Sequence, residues 1–267
     1  ALEIRHVGAR TAGASSAGAK LVYADNLYAY GAGDRPRTAG PPLNATPGEG
    51  GHGARIAPAR MGWHRAGKLR VAIGRGSDFF GAFATEAEMR GSRVFGRALQ
   101  GKAAQVVGNP DRLHTYTFID DFGKALVTLG EHDAALGKAW HVPSAPATTT
   151  RGFVEKVYAA LGKPARLSAA PRFALALLGK FDDNVKELRE MLYQFERNFV
   201  MDSGPCEATF GVQPTPLDDS IRQTLAWSRA RAFTSKIRGS IPSTAVEAYL
   251  HTHPTIGPFS MRADARW

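Results

Sequence analysis

Lys20-Leu-Val-Tyr-Ala-Asp25-Asn-Leu-Tyr-Ala-Tyr30-Gly31 joins a β-type apolar run to the turn signal Asp25-Asn26, and that pairing decides the fold. Leu69-Arg-Val-Ala-Ile73 repeats the arrangement: a buried-strand pattern followed by a loop through Gly74, Gly76 and Ser77. Working outward, further strands are expected at Gln105–Gly108, Ala139–Val142 and Phe199–Met201. Helical patterns fall between them. Thr85-Glu-Ala-Glu88 has the form of a capping box and opens a helix to Gln100. Asp120 or Asp121 caps a helix whose apolar stripe is Phe122, Leu126 and Leu129. Thr149 or Thr150 starts one through Phe153, Val157 and Leu161, and Phe173–Leu178 and Val185–Phe195 suggest two more. Thr215-Pro216 supplies N-cap and N1 of a last helix through Ile221, Leu225 and Trp227. Strands alternating with helices predict an α/β fold with parallel strands.

The formal charge of +10 over 267 residues sits in the flanks. Residues 1–75 carry +7 and residues 229–267 carry +4, leaving −1 for 76–228. Aromatics are sparse among the flanking arginines, so solvated segments account for them better than a nucleic-acid surface. Between Gly31 and Gly53, 11 of 23 residues are Gly or Pro, too little apolar surface to offset backbone entropy. The expected organisation is a poorly ordered flank at 1–19, a domain at 20–229 with a Gly/Pro-rich loop over 31–60, and an irregular tail at 230–267. Out-of-frame translation of GC-rich coding sequence would give similar flanks. A single cysteine, Cys206, excludes an intrachain disulfide. His52, His64, His114 and His141 lack metal-ligand spacing, so no metal is expected. No uninterrupted apolar run is long enough for a bilayer, and a soluble cytoplasmic protein is expected.

Taken in order, the stretches resemble the NAD(P)-dependent epimerase/dehydratase family of extended short-chain dehydrogenase/reductases. Leu21 to Gly31 resembles that family's strand ending in a Tyr-Gly pair. Arg70-Val-Ala-Ile-Gly-Arg75-Gly-Ser77-Asp78-Phe-Phe80-Gly81 resembles its next strand, which normally ends Arg-Pro-x-Asn-x-Tyr-Gly. His114-Thr-Tyr-Thr-Phe-Ile-Asp120-Asp121 resembles its Phe-x-x-Val-Asp-Asp helix start. Trp140-His-Val-Pro143 and Phe210-Gly-Val-Gln-Pro-Thr-Pro216 match the pieces that follow. The resemblance implies a partial Rossmann-like parallel sheet with a smaller C-terminal substrate lobe, NAD or NADP as cofactor, and a small-molecule substrate such as a sugar nucleotide. A homodimer is one assembly it allows. It places Asn26, Tyr28 and Tyr30 at catalytic positions, Tyr23, Asp25 and Ser77 beside the cofactor, and Ser77 and Asp78 beside the substrate. Read from the residues alone, Tyr28 and Tyr30 fit packing at a strand end better than acid/base work. Ser77 and Asp78 fit a polar turn as well as a substrate contact, and Asp120 and Asp121 fit capping better than paired-carboxylate catalysis.

The family's chemistry rests on a Tyr whose pKa is lowered by a Lys four residues on, the two sharing one helix face. No Tyr-x-x-x-Lys occurs in this sequence. Rough alignment puts Gly48 at the Tyr position and His52 at the Lys position, and Asn26 where a hydroxyl-bearing residue stands. The dinucleotide fingerprint, a tight glycine turn leading into a helix, has as early candidates Gly8, Gly13 and Gly18, which are spaced by five. The expectation is an epimerase/dehydratase-like chain lacking the first three or four strands and impaired in turnover. The alternative is a pseudoenzyme that binds nucleotide sugars.

Overall fold

The computed structural model describes residues 13–33, 36–39, 51–83, 91–170 and 192–240, without the side chains of 51–56 and 232–240. Its strands are β1 (Lys20–Asn26), β2 (Arg70–Gly76), β3 (Asp78–Phe80), β4 (Ala104–Val107), β5 (Leu113–His114), β6 (Tyr116–Phe118), β7 (Ala139–His141), β8 (Thr148–Thr149) and β9 (Leu167–Ala170). Its helices are α1 (Gly51–Arg65), α2 (Arg97–Leu99), α3 (Ile119–Glu131), α4 (Thr150–Ala159), α5 (Tyr193–Glu196), α6 (Gly204–Phe210) and α7 (Leu217–Ser240). The chain divides into two compact units, Ala1–Leu225 and Ala226–Trp267.

The sheet that positions the site is parallel, in the order β1-β2-β7. β2 is buried from Val71 to Gly76, as expected of a central strand covered on both faces. Its side chains alternate. Val71 and Ile73 pack with Ala57 of α1, while Ala72 packs with Leu129 of α3. Gly74 is required on that second face, because a Cβ there would lie 2.7 Å from Leu126 Cδ2. A second core gathers Phe80, Phe95, Tyr116, Phe153, Tyr158 and Ile221 beneath the pairs β3–β6 and β4–β9.

Thr149 caps α4 as its sequence suggests, its hydroxyl accepting from Gly152 N at 2.9 Å. Thr149→Ala is expected to cost about 1 kcal/mol, read as a fall in the urea midpoint. Other expectations need correction. α3 is capped by neither Asp120 nor Asp121: its N-cap is Phe118, which makes no side-chain bond. Asp121 instead accepts from Thr215 N and Thr215 Oγ1, both at 2.7 Å. A carboxylate one residue inside the helix finds better donors across the fold than in its own first turn. The loop expected through residue 60 gives way to α1 from Gly51, whose buried Ala57 has a sheet to pack on. Helix α7 continues to Ser240, beyond the expected break at residue 230. Phe199–Met201 forms only isolated bridges, to His114 and Arg37. The capping box at Thr85–Glu88, most of the two helices expected between 173 and 195, Gly48, the His52 side chain, and segments 1–12 and 241–267 lie outside the described residues.

Candidate active site

Parallel register sets three polar residues side by side. Asp25 of β1 pairs with Arg75 of β2, and Arg75 pairs with His141 of β7, so the three form one row across the carboxyl ends of the strands. That edge is where open α/β sheets place their sites. All three are buried. Arg75 Nε donates to Asp25 Oδ2 at 2.9 Å, and Arg75 Nη1 donates to the Tyr30 hydroxyl at 2.6 Å. Burial works against the Arg75 charge, yet Tyr30 and Asp25 hold its pKa above the ordinary value.

Proton positions follow from the partners. His141 Nδ1 lies 2.9 Å from the Asp202 carbonyl, which can only accept, so Nδ1 carries the ring proton. His141 Nε2 then accepts from the Tyr30 hydroxyl at 2.9 Å. The chain runs Arg75 to Tyr30 to His141 to Asp202, each donor committed. Burial lowers the His141 pKa from 6.5 to about 4, the Asp202 carbonyl opposing and Arg75 assisting. Burial also raises the Tyr30 pKa, against the pull of Arg75. The result is a protonated phenol facing a neutral imidazole.

This arrangement gives a pH dependence whose sign is fixed. The folded His141 value lies below the unfolded one, so its contribution is complete above about pH 6.5 and lost as pH falls toward 4. Stability is expected to drop by about 2 kcal/mol between pH 6.5 and pH 5, measured by urea unfolding. His141→Gln should flatten that slope.

Beside the row stands a hydroxyl relay. Ser144 Oγ donates to Val142 O at 3.3 Å, Thr117 Oγ1 lies 2.9 Å from Ser144 Oγ, and Ser77 N donates to Thr117 Oγ1 at 2.9 Å. Ser77 Oγ is buried with no hydrogen-bond partner among the described residues. Asp78 Oδ2 lies 3.3 Å from His114 Nε2, and the His114 ring stacks on Phe195 and Phe199. Arg37 closes the site, donating to Gly31 O at 3.0 Å while its guanidinium lies 3.9 Å from the centroid of the Phe199 ring. Gly31 adopts φ +67, a conformation that favours glycine.

The residues singled out in sequence are thus divided. Asp25 and Tyr30 meet in the row, and Ser77 and Asp78 stand beside it. Tyr23 lies one row deeper, under the Arg60 guanidinium at 3.4 Å. Asn26 is engaged locally: its Oδ1 accepts from Tyr28 N at 3.0 Å in the turn that leads to Tyr30. Sequence reasoning missed Arg75, His141, Arg37, Thr117 and Ser144. Arg75 was read as part of a loop, whereas it ends β2. The available signal was an arginine inside an otherwise apolar strand pattern, which demands a buried partner.

No family model matches the sequence, and no curated protein matches it. Solved structures do match. A dTDP-glucose 4,6-dehydratase from Bacillus anthracis str. Ames, in complex with NAD, superposes with a TM-score of 0.62 at 16% identity, covering 79% of this chain and 62% of that one. UDP-glucuronic acid 4-epimerase from Bacillus cereus, also with NAD, gives 0.62 at 13%, covering 79% and 61%. RMD from Pseudomonas aeruginosa, complexed with NADPH, gives 0.60 at 16%, covering 79% and 65%. The chain has the epimerase/dehydratase fold. It spans less than two thirds of the length of each of these structures.

An epimerase/dehydratase fold implies NAD or NADP, whose redox chemistry needs an acidified phenol. The described residues do not fit that need. The Tyr30 phenol is shifted upward and its proton is engaged by His141. Cys206 supplies no alternative nucleophile: it is buried, and burial raises its thiol to about 11. Among the described residues no helix is long and apolar enough to cross a membrane.

Proposed function

We propose that this chain is a nucleotide-sugar epimerase/dehydratase relative in which hydride transfer is impaired, acting in the cytoplasm on a small molecule and not on nucleic acid. The observation that carries this reading is the locked phenol. Tyr30, the tyrosine of the strand-end Tyr-Gly pair, donates to a buried neutral His141 and accepts from Arg75, so it has no free proton relay to a substrate carbinol. Fluorescence titration with NADH and NADPH, followed by turnover assays on dTDP-glucose and UDP-glucuronic acid, tests it. Little or no turnover is expected; steady nicotinamide reduction with either sugar nucleotide overturns the proposal.

A second reading is a nucleotide-sugar binding module without redox chemistry. The buried, unpartnered Ser77 Oγ at the carboxyl end of the sheet supports it, since an unsatisfied hydroxyl there is costly unless a ligand completes it. Calorimetric titration with dTDP-glucose and UDP-glucose, without NAD(P), distinguishes the two. Saturable binding that Ser77→Ala weakens favours the module, and absence of heat removes it.

A further inference from the structure

On the α1 face of the sheet, beside the row of Asp25, Arg75 and His141, lies a cavity of about 470 Å³ lined by α1, β2, β7 and Pro205. That volume falls in the range of about 300–1,000 Å³ in which small molecules are held. Its walls are largely apolar: Ala57, Met61, Ile73, Ala139 and Trp140. The Trp140 indole N–H already donates to Ala135 O at 3.0 Å, so the ring brings surface and no unpaired donor. Arg65 and Lys138 also line the cavity and are solvent-exposed, which puts them at its mouth. Neither takes part in an ion pair among the described residues. Lys138 Nζ stands 5.4 Å from the Trp140 ring centroid, a cation held against the aromatic wall. The third cation, Arg75, is committed to Asp25 and Tyr30. None of the twelve lining residues is acidic.

An apolar chamber with two unpaired cations at its mouth and no carboxylate selects an apolar body bearing a negative head. We propose that this cavity binds an aromatic carboxylate, its ring between Met61, Ile73 and Trp140 and its carboxylate paired with Lys138 and Arg65. Trp140 favours a ring over a chain, because aromatic faces and edges add attraction beyond area burial. The proposal is independent of redox activity and of any nucleotide sugar.

Calorimetric titration of the full chain with 2-naphthoate and with 2-naphthamide, an uncharged molecule of nearly the same shape, tests it. Saturable binding of the acid is expected, with the amide about tenfold weaker, as removing contacts with two exposed cations predicts. Lys138→Gln should weaken the acid about three- to fivefold and leave the amide unchanged. Both variant sites are exposed, and thermal unfolding confirms that Lys138→Gln and Arg65→Gln keep the fold. Raising sodium chloride should weaken the acid alone, a readout that needs no variant. Absence of saturable heat with the acid overturns the proposal. So does equal affinity for acid and amide, or an acid affinity untouched by Lys138→Gln, Arg65→Gln and salt.

Discussion

Arg75→Met should destabilise the chain by about 3–5 kcal/mol, seen as a large fall in the denaturant midpoint with little change in slope. The magnitude comes from what the substitution leaves behind. Asp25 and Arg75 are both buried, at 8% and 3% exposure, and their contact is 2.9 Å. Without the guanidinium, the Asp25 carboxylate keeps its desolvation cost and loses its countercharge, and the Tyr30 oxygen loses a donor. Domains are stable by only about 5–15 kcal/mol, so one side chain carries a large fraction of the total. Asp25→Asn combined with Arg75→Met should recover part of the loss, because the orphaned charge is then gone. A loss below 1 kcal/mol for Arg75→Met alone would mean that the pair is solvated and that the row is not a buried network.

Asp121→Ala is expected to cost about 3 kcal/mol, from two charge-assisted hydrogen bonds and a favourable place in the first turn of a helix. Its two oxygens hold the backbone and hydroxyl of Thr215, a residue 94 positions away, just before α7 begins. Removing them strands a peptide N–H that has no other partner in view. Asp121→Asn keeps one good acceptor and should lose about half as much. Asp120→Ala, one residue earlier and exposed, should change stability by less than about 0.5 kcal/mol. Urea unfolding of the three variants separates a strap from a cap: if Asp120→Ala costs as much as Asp121→Ala, the carboxylates act through the helix dipole alone.

Some of this was legible without coordinates. The strands at Lys20 and Leu69, the helix from Ile119 and the Thr149 cap come from local patterns, since apolar period and capping chemistry act within a turn or two. The order of those patterns also carried the fold that the solved structures share. The candidate site was legible only in part. Asp25, Tyr30, Ser77 and Asp78 sit at strand ends and were found. Arg75 and His141, which decide what Tyr30 can do, were not.

What the amino-acid order alone determined is which segments become strands and helices, and that no tyrosine has a lysine four residues on. What only the tertiary structure decided is the row itself. Asp25 meets Arg75 across 50 residues, and Tyr30 meets His141 across 111. Such pairings depend on parallel register, which is set by how the whole sheet packs between α1 and α3 and not by any neighbouring residue. Burial then sets the proton on Tyr30 and keeps His141 neutral, because desolvation exists only once the chain has closed around them.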